Sequence, residues 1–365
     1  MKLLTAERRK TLRIWGPAVM AAGASWLLLM TLGETPLARA CGLALAIFGV
    51  TASMRPMGFV ASAAGGLTLA LCPVFWSQTG GGVTEPATIV IAVAVALFAM
   101  LVSAMLLKRQ DLGIGLGIGV FVILFWSQIG TPQSLRLTGL VSAWLLYLLV
   151  DMIMLTNPRP GIKPAKSPKS WQTLGLLLLL AIGTVNDPLV VLFAPAILLA
   201  LFLSYARLPT WFWLSMILTV IAGLVLLART YILTPTPAVD IWGWRDATRW
   251  IQLGQLVIAQ FSALGIVLGV IGLARLARWY PPLGVVTLFA YAAFVFFGLV
   301  YLGRNREILL LPLMIIQVIW MTYAVNTFGQ WVNKSLENDT GLWIHIVSAV
   351  YFVAPAILLF NIVNP

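Results

Sequence analysis

Uninterrupted apolar runs of fifteen to twenty-five residues recur from one end of this chain to the other, separated by short clusters of charge, proline or glycine. A bilayer is crossed by about 20 residues of helix, and only there can so many such runs be buried at once. Composition agrees: 61% of the 365 residues are hydrophobic and 9% charged, against about 45–50% and about 25% in soluble domains. A soluble enzyme, a disordered chain and a fibrous chain are excluded. Reading the runs between breaks gives thirteen segments, near 15–32, 36–54, 57–76, 85–107, 112–127, 134–155, 171–185, 188–205, 211–231, 250–274, 281–302, 307–327 and 342–362. The expected fold is all-α, a polytopic transmembrane bundle of about 12–13 helices. The pair 171–185 and 188–205 reads either as two crossings or as a re-entrant element, because its first member is short.

The net charge of +12 follows from 23 Lys+Arg against 11 Asp+Glu. In a membrane chain this excess marks cytoplasmic loops, so no nucleic-acid partner is expected. With the N-terminus in the cytoplasm and sides alternating, sixteen Lys and Arg fall inside and seven outside. That ratio satisfies the positive-inside rule with the N-terminus in the cytoplasm. The seven outside are Arg39, Arg136, Arg229, Arg245, Arg249, Arg304 and Arg306, with no Lys among them. Arg is the better fork for phosphate and carboxylate. A basic N-terminus (1–14) precedes a front half of six segments (15–155), a Pro-rich basic linker (156–170) and a back half of about seven segments (171–365). A signal peptide with Ala38-Arg39-Ala40 as its cleavage site is the competing reading of the start; the crossings that follow favour a retained first helix.

The ionisable inventory is sparse. Cys41 and Cys72 lie in apolar runs, and His345 is the single histidine, so neither a metal site nor a cofactor is expected. Asp151 falls inside a helix near its cytoplasmic end, where it reads as functional or as snorkelling towards Arg159. Phe75-Trp76-Ser77-Gln78-Thr79-Gly80 recurs as Phe125-Trp126-Ser127-Gln128-Ile129-Gly130. Both copies read as helix ends: Trp at the interface, Ser and Gln on the fraying turn, Gly as terminator. Gly113, Gly115, Gly117 and Gly119 read as helix-packing glycines. The richest outer stretch runs from Asp240 to Trp250, with Trp242, Trp244, Arg245, Asp246 and Arg249. Such a set can stack on a sugar and fork a phosphate, or it can be an interfacial loop whose Arg pair with its Asp.

Leu71-Cys-Pro73-Val-Phe75-Trp76-Ser77-Gln78, followed by Glu85, resembles a stretch of bacterial membrane glycosyltransferases of the GT-C kind, in the branch related to protein O-mannosyltransferases. Gly183-Thr-Val-Asn186-Asp187-Pro188 and Tyr301-Leu-Gly-Arg304-Asn305-Arg306-Glu307-Ile308 are looser matches, and together the resemblance spans about 40–330. It implies a GT-C-like bundle that transfers sugar from a polyprenyl phosphate on the outer face. Glu34 or Glu85 would be the base, Arg245, Arg249, Arg304 and Arg306 would hold the phosphate, and Trp76, Gln78, Trp242 and Trp244 would contact sugar or lipid. The family keeps its catalytic acid in a long first outer loop, whereas here only Gly33-Glu34-Thr35 joins the first two segments. A base must reach the attacking hydroxyl. The alternative is therefore a non-catalytic helical scaffold, a subunit of a larger membrane assembly with protein and lipid partners. A third reading, a small-molecule transporter, draws on helices interrupted by Pro312 and Pro355.

Overall fold

The computed structural model describes residues 6–35, 37–79, 97, 100, 135–157, 167–204, 208–234, 238–303, 306–336 and 341–364. The segments expected near 85–107 and 112–127, the second Phe-Trp-Ser-Gln copy, most of the basic linker, Glu85 and Arg304 lie outside them. The described chain is helical, with no strand and one isolated bridge, between Val239 and Tyr301. In order the helices are α1 (Ala6–Thr31), α2 (Leu37–Ser53), α3 (Phe59–Leu71), the single turn α4 (Pro73–Trp76), α5 (Leu135–Thr156), α6 (Ser170–Asn186) and α7 (Ala194–Leu203). They continue as α8 (Thr210–Tyr231), α9 (Ala247–Trp279), α10 (Pro281–Val300), the short α11 (Arg306–Leu309), α12 (Leu311–Ser335), α13 (Leu342–Val350) and α14 (Val353–Val363). Among the described residues seven spans are long and apolar enough to cross a membrane, from α1, α5, α8, α9, α10, α12 and the α13–α14 pair. This is a multi-pass integral membrane protein with an all-α fold.

The centre of the bundle is α12, whose residues from Leu311 to Asn326 are all buried. It lies against α9, α13, α3 and α10. Its approach to α9 is set by glycines on one α9 face. A Cβ on Gly269 would stand 2.0 Å from the Gln317 amide, and one on Gly272 would stand 1.8 Å from the Trp320 carbonyl oxygen. Two backbones come this close only where small residues leave room. Gln317 uses the approach to donate to the Gly265 carbonyl at 2.8 Å.

Interhelical contacts fix which ends share a side. Arg55 stacks on Trp15 and Tyr147 and pairs with Asp151. Gln172 donates to the same carboxylate at 2.8 Å, Thr156 reaches Ser204 at 3.2 Å, and Tyr280 donates to the Ile153 carbonyl, also at 3.2 Å. The start of α1, the α2–α3 and α9–α10 junctions, the beginning of α6 and the end of α7 therefore share one face. At the other face Asn186 donates to Thr138 at 3.0 Å, near the start of α5. Thus α6 and the Pro188–Leu203 segment form a hairpin whose tip lies at the start of α5 and whose ends lie at the end of α5.

Four expectations change. The segment expected over 57–76 ends at Leu71, and Pro73 starts a separate turn, because proline cannot continue the hydrogen-bond ladder. The helix expected over 250–274 runs from Ala247 to Trp279 and is broken at Ser262, whose φ of 62° and ψ of 176° are non-helical. The last span is interrupted at Tyr351-Phe352; Pro355 occupies the first turn of α14, and Pro312 likewise lies in the first turn of α12 without breaking it. Asp151 pairs with Arg55 and accepts from Gln172, two partners that the sequence reading did not name, while Arg159 lies outside the described residues.

Candidate functional site

The expected site residues fold into two clusters. The first surrounds the α1–α2 turn. Gly33 and Thr35 donate back to the Leu28 and Leu29 carbonyls at 3.2 and 3.0 Å, and Glu34 adopts a left-handed φ of 45° and is exposed. A Cβ on Gly33 would lie 3.2 Å from the Thr79 methyl, and Arg39 donates to the Thr79 carbonyl at 3.2 Å. The turn bearing Glu34 thus rests on the residue that follows Phe75-Trp76-Ser77-Gln78. Within that motif Ser77 and Gln78 both donate to the Val74 carbonyl, at 2.8 and 3.3 Å, satisfying a helix end as the sequence suggests. Trp76 is half-buried against the core and Gln78 is buried.

The second cluster joins the loop before α9 to the turn after α10. Asp240 donates its N–H to the Val300 carbonyl and Leu302 donates to Ala238, both at 2.8 Å, which lays the two strands of chain side by side. Arg249 crosses between them. It donates to the Leu299 carbonyl and to the Asp240 carboxylate, each at 3.0 Å, with Asp246 at 3.8 Å. Its path runs over Gly243, where a Cβ would meet the guanidinium at 1.8 Å; any side chain there would expel it. Asp246 caps α9 by accepting from the Thr248 N–H at 2.9 Å, and that bond, more than the Arg249 charge, holds its carboxyl below the usual carboxylate range.

Arg306 donates to the Tyr301 carbonyl at 2.8 Å and to Gln252 at 3.2 Å. Burial first, and then the neighbouring Arg249 charge, lower its pKa. Arg245 differs from both. Its guanidinium lies 4.2 Å from the Trp242 ring centre and 5.2 Å from that of Trp244, and among the described residues it has no hydrogen bond or acidic partner. Trp244 is fixed in turn, since its carbonyl accepts from the Trp250 indole at 2.8 Å.

The clusters meet α9 at different depths. Val74 of the first donates to Gln260 at 2.7 Å. Gln260 is eleven residues from Arg249, about 16 Å along a helix. Sequence reasoning left one group out of the site. Asp187 is 4% exposed at the tip of the α6–α7 hairpin, accepting from the Leu189 N–H at 3.0 Å and from Thr138 at 3.2 Å, close enough to Tyr231 for its charge to act there. The only hint of this in the sequence is a Pro188 directly after an acid at a helix boundary. No group of three metal-ligating side chains occurs among the described residues. No family model matches the chain, and neither a curated protein nor a solved structure matches it.

Proposed function

We propose that the protein serves as a non-catalytic membrane subunit, a helical scaffold of the inner membrane, rather than as a glycosyltransferase. One observation carries the reading: Arg249 donates to the Leu299 carbonyl and to the Asp240 carboxylate, each at 3.0 Å, with the Asp246 carboxylate at 3.8 Å. A guanidinium placed between two carboxylates staples two loops together, and its charge is already balanced within the protein before any phosphate arrives. The position of Glu34, in a tight exposed turn that rests on Thr79, agrees with a structural part. We place the N-terminal side in the cytoplasm on the distribution of Lys and Arg.

The experiment pairs activity with stability. Purified protein in lipid is offered polyprenyl-phosphate sugars, and release of labelled sugar is followed for wild type, Glu34→Gln and Arg249→Ala. The expected result is no turnover in any of the three. Arg249→Ala should unfold more easily by about 2–4 kcal/mol, having lost two charged hydrogen bonds of about 1.5–3 kcal/mol each, partly offset by water. Turnover in wild type that falls by about 10²–10⁴-fold in Glu34→Gln would overturn the scaffold reading and install the enzyme. One specific observation favours that second reading. Arg245 lies on a tryptophan platform with no acidic partner among the described residues, and Arg249 and Arg306 lie near enough to repel each other, an arrangement that an anion would relieve.

A further inference from the structure

One membrane span is broken beside a cavity. The interruption of α9 at Ser262 and the α13–α14 junction at Tyr351, where the backbone dihedrals stay helical, both line a cavity of about 730 Å³, to which α12 contributes Met321, Val325 and Phe328. Non-helical backbone at membrane depth is tolerated where it is buried in protein or lines a cavity. The volume lies within the range of small-molecule sites, about 300–1,000 Å³. Its walls are made by side chains such as Phe261, Leu268, Met321 and Phe328, and no charged residue lines it among the described residues. Leu264 and Ile357, also on the wall, are 62% and 56% exposed, so the cavity opens onto the flank of the bundle.

One polar group in this wall is buried and incomplete. Gln260 is 4% exposed, and its Oε1 accepts from the Val74 N–H at 2.7 Å. That bond fixes the sense of the amide, because only the oxygen can accept. The Nε2 amide is left as a donor with no acceptor among the described residues, on the wall of the cavity. The Tyr351 hydroxyl in the same lining is buried with no hydrogen-bond partner among the described residues, and a buried polar atom without a partner is rare and marks a place for one. It lies beside Thr68 and Thr322, whose own protons go to the Ala64 and Val318 carbonyls, both at 2.8 Å.

We propose that this cavity binds one neutral membrane lipid: a long hydrocarbon chain ending in a carbonyl that accepts a hydrogen bond from the Gln260 amide. The apolar lining selects the chain, the unpaired donor selects an acceptor, and the lack of any charged lining residue selects against phosphate or carboxylate headgroups. Such a carbonyl has two sources in a membrane, the ester of an acyl lipid and the ring of an isoprenoid quinone. The proposal is independent of whether the outer face catalyses transfer.

The test is equilibrium binding to the purified full-length protein in detergent micelles, with radiolabelled methyl oleate and decylubiquinone as probes and labelled oleate as the charged comparison. Saturable binding of one molecule per chain is expected for one or both neutral probes. Methyl oleate alone identifies the acyl source, decylubiquinone alone the quinone source, and both together the shared carbonyl chemistry. Gln260→Glu keeps an acceptor for Val74 and removes the amide donor, and should weaken binding by about tenfold, the worth of one hydrogen bond. Leu264→Trp fills the cavity from its lipid-facing wall, and with its elution volume and melting temperature unchanged it should abolish saturable binding. No saturable binding of either neutral probe, tighter binding of oleate than of methyl oleate, or undiminished binding in Leu264→Trp would overturn the proposal. Unchanged affinity in Gln260→Glu would overturn the role of the amide.

Discussion

Gly272→Ala is the smallest perturbation that tests how the bundle is held together. The added methyl would lie 1.8 Å from the Trp320 carbonyl oxygen, 2.5 Å from its carbonyl carbon and 3.1 Å from its Cα. All three atoms are backbone, so no rotamer change can relieve the clash. A tight carbon–oxygen contact needs about 3.2 Å, so α9 and α12 must separate by about 1.4 Å, and over-packing of this kind typically costs about 1–3 kcal/mol. The separation would also stretch the 2.8 Å bond from Gln317 to Gly265, two turns away on the same face, worth about 1 kcal/mol. Against these stands the gain of about 1 kcal/mol in helix propensity when Gly becomes Ala. The net expectation is a loss of about 1–3 kcal/mol, read from reversible SDS unfolding of the purified protein in mixed micelles. Gly254→Ala in the same helix is the control, since nothing lies within 4 Å of a Cβ there; it should be neutral or stabilising by up to about 1 kcal/mol. Equal stability of the Gly272 and Gly254 variants would refute the argument that close backbone approach sets the α9–α12 geometry.

The Arg55–Asp151 pair gives a second test. Asp151→Ala leaves a half-buried guanidinium without its acid and should cost about 2–4 kcal/mol, somewhat under the about 3–5 kcal/mol of a fully buried pair, while Arg55→Leu with Asp151→Leu should recover most of that in the same unfolding assay; simple additivity of the two single changes would deny the coupling. Asp246 sets a pH dependence. Its folded pKa is lowered, so its stabilisation is present above the ordinary carboxylate range and is lost as pH falls through the folded value. Asp246→Asn keeps the cap without the titration, so its stability should match wild type near neutrality and stay flatter in acid; parallel pH profiles for the two proteins would contradict this.

What the sequence revealed and what it concealed divide along the range of the interactions. The spans are legible because burying apolar runs in a bilayer is a local property of each run, and the Phe75–Gln78 helix end is legible because Ser77 and Gln78 bond within four residues of themselves. The pairing of Arg249 with Asp240 and Asp246 is within reach of a reader who sees opposite charges close together, but its third acceptor, the Leu299 carbonyl, is fifty residues away. The same holds for Asp151, whose cation lies ninety-six residues earlier in the chain. The break at Ser262 leaves no sequence trace of the usual kind, since neither Pro nor Gly occupies the position. Two long-range bonds flank it instead: Gln260 accepts from Val74, 186 residues away, and the Gly265 carbonyl accepts from Gln317.

Those same bonds explain how a costly feature persists. With φ of 62° and ψ of 176°, Ser262 lies in an extended positive-φ region that is essentially glycine's own and costs another residue about 1–3 kcal/mol. The bonds from Val74 to Gln260 and from Gln317 to Gly265 flank it at 2.7 and 2.8 Å. At about 1 kcal/mol each they offset the strain and no more. The cavity beside the break opens onto the flank of the bundle through Leu264 and Ile357, so it is filled from the bilayer. Water suits it poorly, because an ordered water needs two to four polar partners and the described walls offer few. Hydrocarbon suits it well: it makes dispersion contacts with the walls and asks for no polar partner along its length. The apolar walls beside the Ser262 break thus favour a chain from the membrane over water.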